Sequence, residues 1–215
     1  MIYFLGLLAR AGHGKTTVAR HLVETAGAEV RSLAGPMKRA VQKVFELSDA
    51  QLWGSQAEKE AVDPRYGFSS RWLLQRLGSE GLRDEFGDDI HLQALLRGVR
   101  LEAAARPPEA PDRLYVVDDL RYPNDARFIA EGGPDFRGAV LKLVSLDAPA
   151  PVGPAHASEG SIDAVVAEHV AATVTSSRAF GLPHLMEAVD AALRDPTFDA
   201  IRPALSGRRR PRGEP

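Results

Sequence analysis

Residues 9–17 read Ala9-Arg10-Ala11-Gly12-His13-Gly14-Lys15-Thr16-Thr17 and follow the apolar run Ile2-Tyr3-Phe4-Leu5-Gly6-Leu7-Leu8. The stretch ends as a phosphate-binding loop ends, in Gly-Lys-Thr, yet Ala9 occupies the place of the first glycine in G-x-x-x-x-G-K-[ST]. Its surroundings decide how it is read. The unbroken apolar run predicts a strand covered on both faces, as in a parallel sheet. From Lys15 onward, Val18, His21, Leu22 and Thr25 recur at helical spacing, and Gly27 supplies a stop. Strand, glycine-rich loop and helix thus occur in the order that a phosphate loop needs.

In such a loop the backbone N–H groups turn inward to an anion, and the positive end of the following helix adds to them. Gly12 and Gly14 allow the close approach that a Cβ would obstruct. Lys15 is expected to bridge the β- and γ-phosphates of ATP, and the Thr16 hydroxyl to hold Mg²⁺. Ala11, His13 and Thr17 complete the expected nucleotide-contacting stretch, with His13 read first as loop surface. Ala9 fits if its φ is negative and its methyl points away from the phosphates.

A phosphate loop of this kind works with a carboxylate at the end of a neighbouring strand. The run Leu114-Tyr115-Val116-Val117-Asp118-Asp119 predicts such a strand and offers two candidates. Either Asp118 or Asp119 could be the metal-side acid. Arg121 would point the same way as Asp119 if the strand continued, which makes it a phosphoryl-binding candidate.

The bulk numbers fit this reading. At 215 residues, 44% hydrophobic and 26% charged, the chain is of ordinary globular composition and long enough for one well-buried domain. A formal charge of -2 gives no global field for gripping a nucleic-acid backbone, so nucleic acid is not an expected partner. No cysteine is present, which excludes disulfides and thiolate metal sites, and the six histidines contain no i, i+4 pair. The N-terminal apolar run is too short for a membrane span and lacks the basic leader of a signal peptide, so a cytoplasmic location is expected.

Further strands are expected at 28–35 and 138–145. Helices are expected at 36–47, from Ser70 to about Leu82, at 90–105, 124–131 and 182–193, with Ser48 capping another short one. Residues 54–70 read as a polar surface excursion. Alternating strands and helices predict an α/β fold with a mostly parallel central sheet.

Taken together the motifs resemble the P-loop nucleoside monophosphate kinases, and most closely the deoxynucleoside monophosphate kinases of bacteriophages. The resemblance rests on AGHGKTT in the loop, AGPMKRAV at 34–41, LLQRLGSEGLR at 73–83, DLRYPND at 119–125 and HASE at 156–159. Ala9, Ser79 and Asp125 depart from the family pattern. The resemblance implies a three-layer P-loop fold and Mg²⁺-dependent transfer of the ATP γ-phosphoryl group to a deoxynucleoside monophosphate. It places Lys38, Gln75 and Arg83 at the acceptor, Asp119 and Arg121 at the strand-end acid and its phosphate-binding partner, and His156 and Glu159 in a lid-like loop; Arg71 is a further acceptor-side candidate, able to stack on a base. Gln75 and Arg83 would share a face if the helix runs through Gly78 unbroken. Residues 1–203 are expected to form one kinase domain, with an acceptor-binding helical region at about 36–105, a lid at about 147–161 and a disordered basic tail at 204–215. The expected partners are small nucleotides, with a homodimer left open. Two alternatives stand beside this: a kinase of the same scaffold acting on a modified nucleotide in DNA or on a small metabolite, and a non-catalytic ATP-binding regulator.

Overall fold

The computed structural model describes residues 1–10, 12–107, 109–147 and 161–206. In chain order the first elements are β1 (Ile2–Leu8), α1 (Lys15–Ala26), β2 (Glu29–Arg31), α2 (Gly35–Phe45), α3 (Asp49–Trp53) and α4 (Gln56–Glu60). Two two-residue strands follow, β3 (Val62–Asp63) and β4 (Phe68–Ser69), then α5 (Ser70–Gln75), a π-helical stretch Arg76–Arg83 and α6 (Asp84–Phe86). The rest comprises α7 (Ile90–Ala104), β5 (Arg113–Leu120), α8 (Pro123–Glu131), β6 (Phe136–Ser145), β7 (Ala172–Ser176), α9 (Gly181–Leu193) and α10 (Arg202–Leu205). The chain divides into two compact units, Met1–Arg31 with the chain from Val99 onward, and Ser32–Gly98.

The first unit is built on a five-stranded, wholly parallel sheet in the order β2-β5-β1-β6-β7. The continuous apolar run of β1 puts it at the centre, buried along its whole length. Alternation then sorts its side chains. Tyr3, Leu5, Leu7 and Ala9 join a core with Val18 and Leu22 of α1 and with Leu185 and Val189 of α9. On the other face a Cβ at Gly6 would collide with Leu120, and one at Gly138 with the Ile129 carbonyl, so α8 lies close against β6. Helix α1 ends where Gly27 takes φ 63°, a left-handed cap whose N–H donates to the Leu22 carbonyl.

One irregularity falls at the C-terminal ends of β1 and β5. Gly6 pairs with Val117 and Leu8 with Leu120, so Leu7 faces two residues of β5, Asp118 and Asp119. The condition placed on Arg121 is not met: β5 ends at Leu120, so strand alternation does not set the direction of the arginine.

The second unit has its own small core. Val41 of α2, Leu47, Leu52 of α3 and Leu73 of α5 form it, with Met37, Phe45, Phe68 and Leu77 packed around them. Ser48 caps α3 through a capping box with Gln51, as its position suggested. The polar excursion at 54–70 is not structureless: Ser55 caps α4, and β3 and β4 pair antiparallel. Asp63 organises that hairpin, accepting from Arg65 N and Nε at 3.0 Å and from Gln51 Nε2 at 2.9 Å.

Other expectations need correction. The second strand covers only three residues, because Ser32 to Ala34 turn into α2. The helix from Ser70 does run through Gly78, but in π form, and eight residues at about 100° leave some 80° between Gln75 and Arg83 even in α geometry. A shared face for that pair therefore does not follow. Strand β7 was not expected. Nor does a tail begin at 204, since Ala204 is buried in the main core with Leu205 packed against it.

The Arg65 guanidinium, helped by Gln51, holds the Asp63 carboxyl well below the usual carboxylate range. A depressed folded pKa gives stability that is present above about pH 4 and lost as pH falls toward the folded value. Asp63→Asn is expected to lower the denaturation midpoint at pH 7, with the gap to the parent protein narrowing below about pH 4. Urea melts between pH 7 and pH 3 check this, and a constant gap contradicts it.

Candidate active site

The sheet order brings the ends of β5, β1 and β6 side by side, and the loop from Ala9 to Lys15 leaves the middle one. Ala9 has no positive φ and is only 3% exposed, its methyl within the core beneath the loop. Its carbonyl accepts from the Lys15 ammonium at 2.5 Å, while the Arg10 carbonyl accepts from the same ammonium at 2.8 Å. The lysine thus draws the two ends of the loop together. An alanine is tolerated at the strand exit because nothing there demands a left-handed backbone.

The two later glycines differ. Gly12 has φ 79° and Gly14 φ 87°, values that favour glycine, and a Cβ on Gly14 would also press on Leu185 of α9 at 3.3 Å. Gly14 then starts α1, its carbonyl accepting from Val18 N at 2.9 Å. Thr16 is exposed and Thr17 half-buried in the first turn. Their N–H groups belong to the unsatisfied first turn of a 12-residue helix, where the dipole favours an anion.

His13 lies across the sheet end. Its Nδ1 accepts from the Ser145 N–H, the last residue of β6, at 3.1 Å. Arg10 forms an ion pair with Asp163, in the short turn Ser161–Ala164. Beyond β6, Leu146 N donates to the Ser176 carbonyl of β7 at 2.9 Å, and Ser177 and the Arg178 N–H hold the Asp147 carboxyl below its ordinary range.

On the other flank, Asp118 and Asp119 are half-buried at the end of β5. The turn after them is fixed by Asp125, 1% exposed, whose Oδ2 accepts from Arg121 N at 3.2 Å and Tyr122 N at 3.1 Å. Arg121 is exposed on this turn. The Thr16 hydroxyl and the Asp118 and Asp119 carboxylates are hard oxygen donors of the kind Mg²⁺ takes, one or two from protein with phosphates and water completing the shell. Among the described residues no group of three or more His, Asp or Glu stands together to hold an ion alone.

The second unit carries Lys38, Arg71, Gln75 and Arg83. Lys38 is half-buried on α2, whose Met37 and Val41 meet Leu73 and Leu77 of the following helical run. Arg71 donates to Gln56 Oε1 at 3.2 Å and lies 3.8 Å from Glu60. Arg83 is 9% exposed and donates to the Asp88 carbonyl at 2.9 Å. Trp72 is 48% exposed, tilted on Phe68 with Arg76 over its ring. The π turn is held by buried His91, whose Nε2 lies 3.0 Å from the Gly78 carbonyl. Ala11, His156 and Glu159 lie outside the described residues.

Sequence reasoning missed the His13 and His91 contacts and the anchoring by Asp125. The first spans 132 positions and leaves no local signal, whereas an acid three residues after a turn, at the start of a helix, is a capping pattern that could have been read.

No helix among the described residues is long and apolar enough to cross a membrane. No family model matches the chain. A protein of Acanthamoeba polyphaga mimivirus described as "Putative deoxynucleotide monophosphate kinase" is 35% identical over 143 residues, 65% of this chain and 72% of the relative. Among solved structures, TT1252 from Thermus thermophilus is similar at TM-score 0.49 with 17% identity, over 90% of this chain and 96% of that one. Shikimate kinase from Acinetobacter baumannii is similar at TM-score 0.39 with 14% identity, over 90% and 93%. At these TM-scores the solved structures add nothing to what the sheet and loop already establish.

Removing the Asp125 carboxylate takes this acceptor from two partly buried turn N–H groups, a loss of about 1–3 kcal/mol. Asp125→Ala is expected to destabilise by that amount, and Asp125→Asn, which keeps one acceptor oxygen, by less. Chemical denaturation of both variants checks the order, and equal stabilities contradict it.

Proposed function

Because the chain belongs to the P-loop nucleoside monophosphate kinase superfamily and is a phosphotransferase, we propose that its reaction is transfer of the ATP γ-phosphoryl group to a deoxynucleoside monophosphate. The observation that carries the choice of acceptor is the 35% identical relative described as a deoxynucleotide monophosphate kinase. The order of motifs along the chain supports it.

Phosphoryl transfer asks the protein for alignment and charge neutralisation rather than for a nucleophile. In this reading the N–H groups from Gly12 to Thr17 receive the donor phosphates. The Lys15 ammonium, which here bridges two loop carbonyls, exchanges them for the β- and γ-phosphate oxygens. Thr16 and Asp119 hold Mg²⁺, which when bound shields the charge of the phosphates. Arg121 neutralises charge on the moving group. Lys38, Arg71, Gln75 and Arg83 hold the acceptor, whose phosphate oxygen attacks the γ-phosphorus as ADP leaves.

The test is coupled ADP release with Mg²⁺·ATP against a panel of ribo- and deoxynucleoside monophosphates, run beside Lys15→Ala. Release is expected to depend on a deoxynucleoside monophosphate and to fall about 100-fold or more in the variant, the scale for removing one stabilising group from a charge-developing site. Release that ignores every acceptor, or survives in Lys15→Ala, overturns the proposal.

A further inference from the structure

Strand β1 stops pairing with β6 at Leu8, opposite Lys142, but β6 runs three residues further to Ser145. In a parallel ladder successive N–H groups point alternately to the two neighbours. Leu146 N turns toward β7, to the Ser176 carbonyl. Ser145 N therefore turns toward the side that β1 has vacated, and would lose its ladder partner there. The acceptor it meets is His13 Nδ1, at 3.1 Å, from within the loop itself.

We propose that His13 is a positioning residue of the phosphate loop, completing the sheet where β1 leaves it and so holding the loop between Gly12 and Gly14 in its phosphate-receiving shape. The inference rests on the nucleotide reading of residues 9–17. Three features support it. His13 stands between Gly12 and Gly14, the two residues of positive φ, so a tie at this point restrains both turns. The bond runs to a strand of the central sheet rather than to another loop. And it fixes the imidazole chemically: a ring nitrogen that accepts from a backbone N–H carries no proton, so the neutral ring has its proton on Nε2.

Losing a neutral hydrogen bond of this kind corresponds to about a two- to tenfold change in an equilibrium constant. His13→Ala is expected to weaken binding of Mg²⁺·ATP by that factor, raising KM for ATP while leaving kcat within about twofold. His13→Asn places an amide oxygen near the position of Nδ1 and is expected to restore affinity to within about twofold. Nitrogen-15 NMR of histidine-labelled protein is expected to find His13 Nδ1 unprotonated in the neutral ring. Wild-type affinity in His13→Ala, an Asn variant as weak as the Ala variant, or a protonated Nδ1 overturns the inference. Lys15→Ala in the same titration separates this from the function: if it abolishes ATP binding while the His13 variants do nothing, only the inference fails. If it too binds ATP normally, the nucleotide reading itself fails.

Discussion

The chain leaves β1 at Leu8, in the middle of a five-stranded sheet, and must return along α1 without stranding the main-chain groups on either side. Buried backbone donors and acceptors need partners, and at the end of a central strand the ladder no longer provides them. Side chains of the loop after β1 and of the first turns of α1 and α8 supply several of them. Lys15 takes the carbonyls of Ala9 and Arg10, His13 takes the N–H of Ser145, and Asp125 takes those of Arg121 and Tyr122. The groups that close the sheet are thus the same groups, or near neighbours of the groups, proposed to handle phosphate.

This explains why Ala9 can replace a glycine and Gly12 and Gly14 cannot be replaced as easily. The strand exit is still part of the core, where a methyl packs beside Leu7 and Val18. The turn itself lies three to five residues on, at φ 79° and 87°. Between them the loop changes from a buried strand, which wants apolar side chains, to a backbone surface that wants none.

Elements whose apolar pattern is continuous or helical were legible in the sequence. β1, α1 and its Gly27 cap, the capping of α3 by Ser48, and α9 all occur where pattern and caps point. What was not legible depends on partners distant in the chain. In β7 only Val174 is buried, so Ala172–Ser176 offers no apolar run and is a strand because β6 lies beside it. The π stretch at Arg76–Arg83 includes Gly78, whose close neighbour is Met37 and whose carbonyl meets His91. The two-residue hairpin of β3 and β4 is set by Asp63, whose partners lie on both sides of it in the chain. For the proposed site, the loop and the strand-end acids stand out in the sequence because phosphate chemistry would constrain residue type and spacing together. The supporting contacts were not, since a histidine or an aspartate has many bland uses and only the fold selects one.

Phosphoryl transfer is proposed to end on a nucleoside monophosphate rather than on water. Phosphorus-31 NMR of the protein with Mg²⁺·ATP and a deoxynucleoside monophosphate follows both products at once. The resonances of the deoxynucleoside diphosphate are expected to grow in step with those of ADP. Growth of ADP matched by inorganic phosphate, with no diphosphate of the acceptor, would contradict it.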